Sequence, residues 1–422
     1  MAQLFPSVAW SRQANIYEVN IRQYTKEGTF EAFAKHLPRL KAMGIDVLWF
    51  MPITPISKKI RQGTLGSYYA CSSYTKINEE FGTLESFQQL VKQAHDVGLR
   101  VIIDWVANHT GWDHEWTVTN PEYYKRNAEG EFFDANGWHD VIDVDYDNPA
   151  LQQAMVQAMQ YWITQCDVDG FRCDMAHLVP LEFWKKARTA LQATKHCYWL
   201  AETDVHSYFD VFDTLYGWEW MHASEKIVKG EFSLQQYNSL LHYYRTQGSK
   251  GAKLLFTTNH DENSWNGTEF EKYGTYAQAM AVFSVLFPGN ALVYSGQEIP
   301  NKKRLAFFDK DELNWPDSTS KMQDWYTRVL HFKHLLAQHF TTDDVTILDD
   351  YLSKNVLVFT YTSAQNHVCV LLNFGASAVT VTVPNCKPNL PYKNLLSGLA
   401  YSFQSTESFT LAAAEYAVYH SL

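Results

Sequence analysis

Short apolar runs alternate with amphipathic stretches over roughly the first three quarters of the chain. Eight of the apolar runs are rich in β-branched and aromatic residues, which is typical of buried strands. They cover residues 16–20, 47–51, 101–104, 170–174, 198–202, 211–215, 254–258 and 291–295, with the weakest signal at 211–215. Helical periodicity lies between them, most clearly over residues 29–43, 84–97, 149–164 and 181–193. This alternation predicts parallel βαβ units, eight of which close into a (β/α)8 TIM barrel.

The pattern changes near residue 339. The runs NVLVFTYT, HVCVLLNF and AVTVTVP are separated by turn residues, which is typical of antiparallel strands. We therefore predict a catalytic barrel over residues 1–338 and a C-terminal antiparallel β-sandwich over residues 339–422. Residues 105–147 lack a clean helix and are rich in Asn, Asp, Gly and aromatic residues. A connection of this length is usually functional, so we expect a short inserted domain that forms one wall of a cleft.

The composition of the chain argues against some classes of binding partner. The 422 residues carry a formal net charge of -11, which gives no electrostatic help in binding nucleic acid or an anionic membrane. A neutral substrate fits this charge better, and the 15% aromatic content would supply flat surfaces for sugar rings. The six cysteines form no CxxC pair, and we expect neither a signal peptide at the start of this sequence nor a transmembrane helix within it. We expect a cytoplasmic protein.

Polar residues gather where the predicted strands end, which is where TIM barrels place their active sites. Four of these ends read DWVANHT, GFRCD, LAE and NHD. They supply the candidate site residues Asp104, Asn108, His109, Arg172, Asp174, Glu202, His260 and Asp261. A single Asp at a strand end is usually a cap or turn residue. Carboxylates at four strand ends, two of them beside a histidine, instead indicate a catalytic site.

The spacing of Arg172 and Asp174 is informative because side chains two residues apart on a strand face the same way. The guanidinium can hold Asp174 ionised and oriented, as a covalent nucleophile requires. Glu202 would share the cavity, and crowded like charges favour a proton on one group, which suits a general acid. A metal site built from Asp104, His109, Asp174 and Asp261 is the competing interpretation. The cation of Arg172 argues against it.

These motifs, in this order, closely resemble those of the α-amylase family, glycoside hydrolase family 13. GSYYACSSYTKINEEFGT, DVIDVDYDNP and YSGQE match the same family, and the resemblance covers nearly the whole chain. It implies retaining hydrolysis of α-1,4-glucosidic bonds in starch-like glucans or maltooligosaccharides, without a cofactor for the chemistry. The inserted segment and the C-terminal tail resemble the domains B and C of this family.

The resemblance also implies a role for each matching residue. Asp174 resembles the nucleophile, Glu202 the acid/base and Asp261 the third carboxylate. Positions around the cleaved sugar are matched by Tyr69, Asp104, His109, Arg172 and His260, with Tyr69 stacking under the sugar. Asn108 and Asp143 match positions that bind structural calcium in many relatives, although a metal-free, hydrogen-bonded loop fits this short insertion equally well.

One departure from the family pattern concerns the side of the leaving group. Many α-amylases have Lys-His shortly after the nucleophile, whereas this chain has His177 and Leu178. The preferred glucan is therefore open, and we keep His177 as a substrate-binding candidate. The same chemistry also serves transglycosylases, isomerases and α-1,6-preferring glucosidases. A non-catalytic binding subunit is a further alternative, but such proteins usually lose one of the three carboxylates. The sequence leaves the oligomeric state open.

Overall fold

A computed structural model describes residues 5–246 and 250–422. The chain forms two compact units. The first comprises Met1–Tyr216, Tyr294–Gly296 and Arg304–Trp315, and the second comprises Gly217–Val293, Gln297–Lys303 and Pro316–Leu422. A domain is a part able to fold alone, which compactness does not test. The predicted boundaries at residue 338 and around 105–147 therefore stay predictions.

Eight parallel strands form the closed barrel expected from the sequence. The strands up to β10 are β1 (Asn15–Val19), β2 (Val47–Phe50), β3 (Arg100–Trp105), β4 (His109–Gly111), β5 (Val141–Asp143), β6 (Gly170–Cys173), β7 (Tyr198–Ala201), β8 (Thr214–Tyr216), β9 (Ala252–Leu255) and β10 (Asn290–Tyr294). The barrel order is β1-β10-β9-β8-β7-β6-β3-β2, and β4 and β5 form a separate antiparallel pair. The predicted strand at 254–258 lies two to three residues too late, because its pairing with β10 ends at Leu255.

Helices follow most barrel strands. They are α1 (Ile21–Tyr24), α2 (Phe30–Ala34), α3 (Leu37–Met43), α4 (Leu84–Asp96), α5 (Trp116–Thr119), α6 (Pro149–Cys166), α7 (Leu181–Gln192), α8 (Trp218–Val228), α9 (Asn238–Thr246), α10 (Glu269–Tyr273), α11 (Ala277–Leu286) and α12 (Lys321–His339). The single helix predicted over 29–43 is wrong, because α2 and α3 divide it. Pro38 lies in the first turn of α3, where its missing N–H is tolerated, and it cannot bond back into α2. Among the described residues, no helix is long and apolar enough to cross a membrane.

The segment between β3 and α6 is more ordered than its composition indicates. The strands β4 and β5 pair with His109 opposite Asp143, and α5 lies between them in sequence. This register matters for function, because it places two candidate site residues on one small sheet. The sheet is too short to produce a periodic signal in the sequence.

The C-terminal part of the second unit has the expected antiparallel strands. They are β11 (Val345–Ile347), β12 (Val356–Thr362), β13 (His367–Asn373), β14 (Val379–Pro384), β15 (Tyr392–Asn394), β16 (Ala400–Tyr401), β17 (Thr406–Leu411) and β18 (Tyr416–His420). One sheet has the order β11-β12-β13-β18-β15-β16, and the other pairs β14 with β17. Val381 on β14 and Leu371 on β13 belong to one buried cluster. The two sheets therefore share a core, as in a sandwich.

Candidate active site

Three carboxylates of the first unit lie on neighbouring barrel strands. Asp104 is near the end of β3, Asp174 directly follows β6, and Glu202 directly follows β7. The backbone ladder continues past the strand ends, because Asp174 N–H donates to the carbonyl of Trp105 and Glu202 N–H donates to that of Cys173, each at 3.0 Å. The backbone hydrogen bonds between these strands therefore set the spacing of the carboxylates, independently of any side-chain contact.

Arg172 lies at the centre of this group and is fully buried. Its Nη1 donates to Asp174 Oδ1 at 2.8 Å and to Asp104 Oδ1 at 2.9 Å. Its Nη2 lies 2.9 Å from Oε2 of Glu202, an ion pair whose angles do not make a hydrogen bond. The contact expected between Arg172 and Asp174 is present, but it does not distinguish Asp174, because the same guanidinium contacts all three carboxylates.

Arg172 is positively charged in the folded protein. Burial by itself lowers the pKa of the guanidinium, but the negative charges of Asp104 and Glu202 outweigh burial and raise the pKa well above its usual value. Three carboxylates around one cation leave an excess of negative charge in a site that excludes most water. Such an excess favours a proton on one of the carboxylates.

Asp104 links the guanidinium to the aromatic wall of the site. Its Oδ2 accepts hydrogen bonds from Trp49 Nε1 at 3.1 Å and from the hydroxyl of Tyr69 at 3.0 Å. On the other side, Arg172 Nε donates to the hydroxyl of Tyr216 at 3.2 Å. The hydroxyl of Tyr69 is therefore anchored on Asp104, which restrains the orientation of the ring. The sequence indicated Tyr69 but neither Trp49 nor Tyr216, because Trp49 lies inside a predicted buried strand and Tyr216 lies just beyond the weakest one, at 211–215.

His109 lies on β4 and is 4% exposed. Burial lowers the pKa of His109 to about 4, although Asp143, Asp134 and Asp140 act in the opposite direction. The imidazole is therefore neutral near pH 7 and donates one hydrogen bond without adding charge. Its Nδ1 lies 3.3 Å from Asn108 Nδ2. A neutral donor suits a sugar hydroxyl better than an anion.

His177 is exposed on the 3-10 turn Ala176–Leu178 that follows Asp174. Met175, directly before this turn, has a positive φ of 39° and donates its backbone N–H to Oε2 of Glu202 at 3.0 Å. This left-handed residue is strained, as functional sites often are. The sequence did not indicate a role for Met175, because this residue contributes through its backbone conformation and its N–H and not through its side chain.

The second unit holds the last two predicted site residues. His260 Nε2 lies 3.2 Å from Asp261 Oδ2, and the Asp261 side chain is 38% exposed whereas that of His260 is 2% exposed. Both follow β9, and a π-helix over Glu262–Asn266 begins directly after Asp261. π-helical turns are rare and occur frequently at functional sites.

The two candidate calcium ligands have mixed surroundings. Oδ1 of Asp143 is buried without a hydrogen-bond partner, which would suit a cation. However, Lys125 Nζ already lies 3.4 Å from its Oδ2, and Asn108 Nδ2 is turned to His109. Within residues 5–246 and 250–422, no three His, Cys, Asp or Glu side chains group to hold a metal. Calcium takes six to eight oxygen ligands, and the ammonium of Lys125 competes with such an ion for the Asp143 carboxylate.

Comparison with known proteins agrees with this geometry. The family model described as alpha amylase, catalytic domain, matches residues 6–141 and 119–328. A maltogenic α-amylase from Thermotoga neapolitana has a similar structure, with a TM-score of 0.87 and 28% identity over 97% of this chain and 99% of the other. An α-amylase from Lactobacillus plantarum has a TM-score of 0.87 and 27% identity over 98% and 100% of the two chains. The α-amylase MalA of Haloarcula japonica is 24% identical over 90% of this chain, which spans 58% of that protein.

Proposed function

Because the chain belongs to the α-amylase family of glycoside hydrolases, we propose that it hydrolyses α-1,4-glucosidic bonds in starch-like glucans or maltooligosaccharides with retention. One observation carries the proposal: buried Arg172 lies within 2.9 Å of Asp104, Asp174 and Glu202. This arrangement supplies an oriented carboxylate pair on adjacent strands, β6 and β7. Neighbouring strands lie about 4.7–4.9 Å apart, close to the roughly 5–5.5 Å that retaining glycosidases use.

Asp174 is the nucleophile in this proposal. Its carboxylate attacks the anomeric carbon, the bond to the leaving oxygen breaks, and a glycosyl ester forms on Asp174. Glu202 gives its proton to the leaving oxygen and then takes one from the water that hydrolyses the ester. Arg172 holds Asp174 ionised until it attacks, and it receives the carboxylate again when water hydrolyses the ester. Glu202 needs a proton at the start, which the excess negative charge around Arg172 favours.

Asp261 is the third carboxylate, acting on sugar hydroxyls from the turn after β9. The remaining binding roles follow the family resemblance. Tyr69 stacks under the cleaved sugar, and Asp104, His109, Arg172 and His260 surround it, with His177 toward the leaving group. The support from the structure is that Tyr69 is held at Asp104 and that His109 is neutral and buried.

No metal ion enters the proposed chemistry, because the carboxylates provide both the nucleophile and the proton. We further propose that Lys125, and not calcium, balances the charge of Asp143. The inserted segment would then be the metal-free, hydrogen-bonded loop that the sequence allowed as an alternative to a calcium site. A cytoplasmic location is also proposed, supported by six buried cysteines that form no disulfide.

Product analysis tests the proposed function. Wild-type protein is incubated with maltoheptaose, isomaltose and trehalose, products are separated over time, and the anomer first released is read by proton NMR. We expect shorter maltooligosaccharides released as α-anomers from maltoheptaose alone. Longer products would indicate transglycosylation, cleavage of isomaltose would indicate α-1,6 preference, and interconversion of maltose and trehalose would indicate an isomerase. Asp174→Asn should abolish turnover with an unchanged circular dichroism spectrum.

A further inference from the structure

The loop after β2 is tied to two other loops of the first unit. We call residues 57–66 of this loop the strap, and a bridge between Ile56 and Cys71 closes the base of the loop. The strap contacts Asp113 in the inserted segment after β3, and residues 308–309, which follow β10 in sequence. All of these residues belong to the first unit. They follow the carboxyl ends of their strands, where a TIM barrel places its active site.

The first half of the strap is fixed to the inserted segment. Oδ2 of Asp113 accepts hydrogen bonds from the backbone N–H groups of Lys58 at 2.8 Å and Lys59 at 3.0 Å. Hydrogen bonds to an ionised acceptor are stronger than neutral ones. A β-carbon on Gly111 of β4 would overlap Cβ of Ser57, so the strap also packs directly on the small sheet.

The second half of the strap is fixed to residues 308–309. Oδ1 of Asp309 accepts from the N–H of Thr64 at 2.8 Å and from its hydroxyl at 2.5 Å. The N–H of Leu65 donates to the carbonyl of Phe308 at 3.0 Å. Gly63 has a φ of 61°, and a β-carbon there would lie 2.5 Å from Cβ of Phe308. The two loops are therefore in direct contact, without room for a side chain between them.

Ile60 lies between the two anchors and has a φ of 58°. A left-handed conformation is rare for a β-branched residue, and it persists only where the surrounding structure imposes it. The side chain is 50% exposed, so burial of Ile60 does not impose this conformation. The anchors at Asp113 and Asp309 therefore hold the strap in one shape, as a fixed wall.

The position of this wall relative to the proposed chemistry follows from the strand order. A general acid must lie within hydrogen-bond reach of the leaving oxygen, so the leaving sugar lies toward Glu202 at the end of β7. The strands run β7-β6-β3-β2, which places the start of the strap three strands away from the acid. Tyr69, bonded to Asp104 on β3, lies between them. The non-reducing part of a glucan extends from the opposite side of the cleaved ring, and hence toward the strap.

We propose that the strap closes the non-reducing end of the cleft, so that the enzyme cleaves glucans from the chain end and releases short products of one size. A bond inside a long glucan carries many sugars on both sides, and a fixed wall leaves no path for those on the non-reducing side. This inference rests on the proposed function and specifies which bonds of the glucan the enzyme reaches.

The first test uses wild-type protein and needs no variant. We compare kcat/KM on p-nitrophenyl maltoheptaoside with that on the same compound carrying a 4,6-O-ethylidene group on its non-reducing end, with products separated by chromatography. We expect the blocked substrate to be cleaved at least a hundredfold more slowly, and cyclomaltoheptaose, which has no end, to be resistant. Equal cleavage of the blocked and unblocked compounds would overturn the role of the strap. Failure to cleave the unblocked compound would instead contradict the proposed function itself.

The second test releases the strap with Asp113→Ala and Asp309→Ala combined. We expect the ratio of kcat/KM on the blocked substrate to that on the unblocked one to rise at least tenfold. Asp344→Ala is the matched control, because Asp344 accepts from the N–H and hydroxyl of Thr341 at 2.7 and 2.9 Å, as Asp309 does from Thr64. Its ratio should equal that of wild type.

Circular dichroism establishes that the variants fold. If the double variant does not fold, each single variant keeps one anchor, and we expect its ratio to rise at least threefold. A wild-type ratio in the folded anchor variants, or an equal rise in Asp344→Ala, would refute the proposal.

Discussion

Nη2 of Arg172 lies 2.9 Å from Oε2 of Glu202, so the proposed acid shares its cation with the proposed nucleophile. A cation favours the ionised form of a carboxylate, which suits Asp174 and opposes the acid role of Glu202. The two roles are compatible because Asp104 also forms an ion pair with this guanidinium. Its single positive charge is therefore shared among three carboxylates. We expect the proton on Glu202 to be gained as substrate enters and displaces water from the site.

Replacing Arg172 tests this shared contact. Arg172→Lys cannot reach three carboxylates with one compact ammonium, so at least one buried carboxylate loses its partner. Breaking a buried ion pair costs about 3–5 kcal/mol, and we expect a clear drop in melting temperature together with at least a hundredfold loss of kcat. Thermal denaturation and steady-state kinetics measure both. Arg61→Lys, at an exposed position, is the control; equal behaviour of the two variants would contradict a central role for Arg172.

Glu202→Gln separates the acid from the nucleophile. General acid catalysis contributes roughly 10²–10⁴-fold, so we expect a loss of that order on maltoheptaose. A glucosyl fluoride needs little protonation of its leaving group, and formation of the glycosyl ester from it should be nearly unaffected. Single-turnover kinetics on both substrates measure the two losses. If Glu202→Gln and Asp174→Asn fail equally on the fluoride, the assigned roles are wrong.

Glu269 predicts a pH dependence of stability. Burial raises the pKa of this carboxyl to about 7, although hydrogen bonds from Thr257 and Gln297 act in the opposite direction. The folded state therefore keeps a proton that the unfolded state loses near its ordinary pKa of 4.5. This contribution to stability is complete below pH 4.5 and is lost as pH rises through about 7.

Glu269→Gln keeps the shape of the protonated side chain and cannot ionise. We expect its free energy of unfolding, relative to wild type, to improve steadily as pH rises from 4.5 to 8. Urea denaturation at several pH values measures the difference. Glu271→Gln, two residues further along α10, should leave the wild-type pH dependence in place. A difference between Glu269→Gln and wild type that does not change with pH would show that Glu269 is ionised in the folded protein.

Lys125 and Asp143 predict how the protein responds to calcium. With the ammonium 3.4 Å from the carboxylate, we expect a chelator to leave the wild-type melting temperature unchanged. Lys125→Met removes the partner of a buried carboxylate and should lower stability by about 1–3 kcal/mol. Calcium added to this variant should restore part of the loss, which differential scanning fluorimetry would detect. A wild-type protein whose melting temperature falls in EDTA would refute the assignment to Lys125.

The barrel and its polar strand ends could be read from the sequence because both depend on local patterns. Apolar runs of strand length, separated by helical periodicity, specify βαβ units whatever their distant partners are. Asp104, Asp174 and Glu202 sit at or just beyond the ends of these runs, so their placement on one rim follows from parallel topology alone. The break between α2 and α3 has a local cause in Pro38, but the helical periodicity over residues 29–43 hid it and predicted one helix.

Other features depended on side chains that meet from distant parts of the chain. The sequence indicated that Arg172 faces Asp174, but the fold brings Asp104, 68 residues away, to the same nitrogen. Trp49 on β2 and Tyr216 on β8 join this site only when the barrel strands assemble, and no polar motif marks either position in the sequence. Periodicity reports which face of an element is buried, whereas hydrogen-bond partners and exposure are decided by tertiary packing.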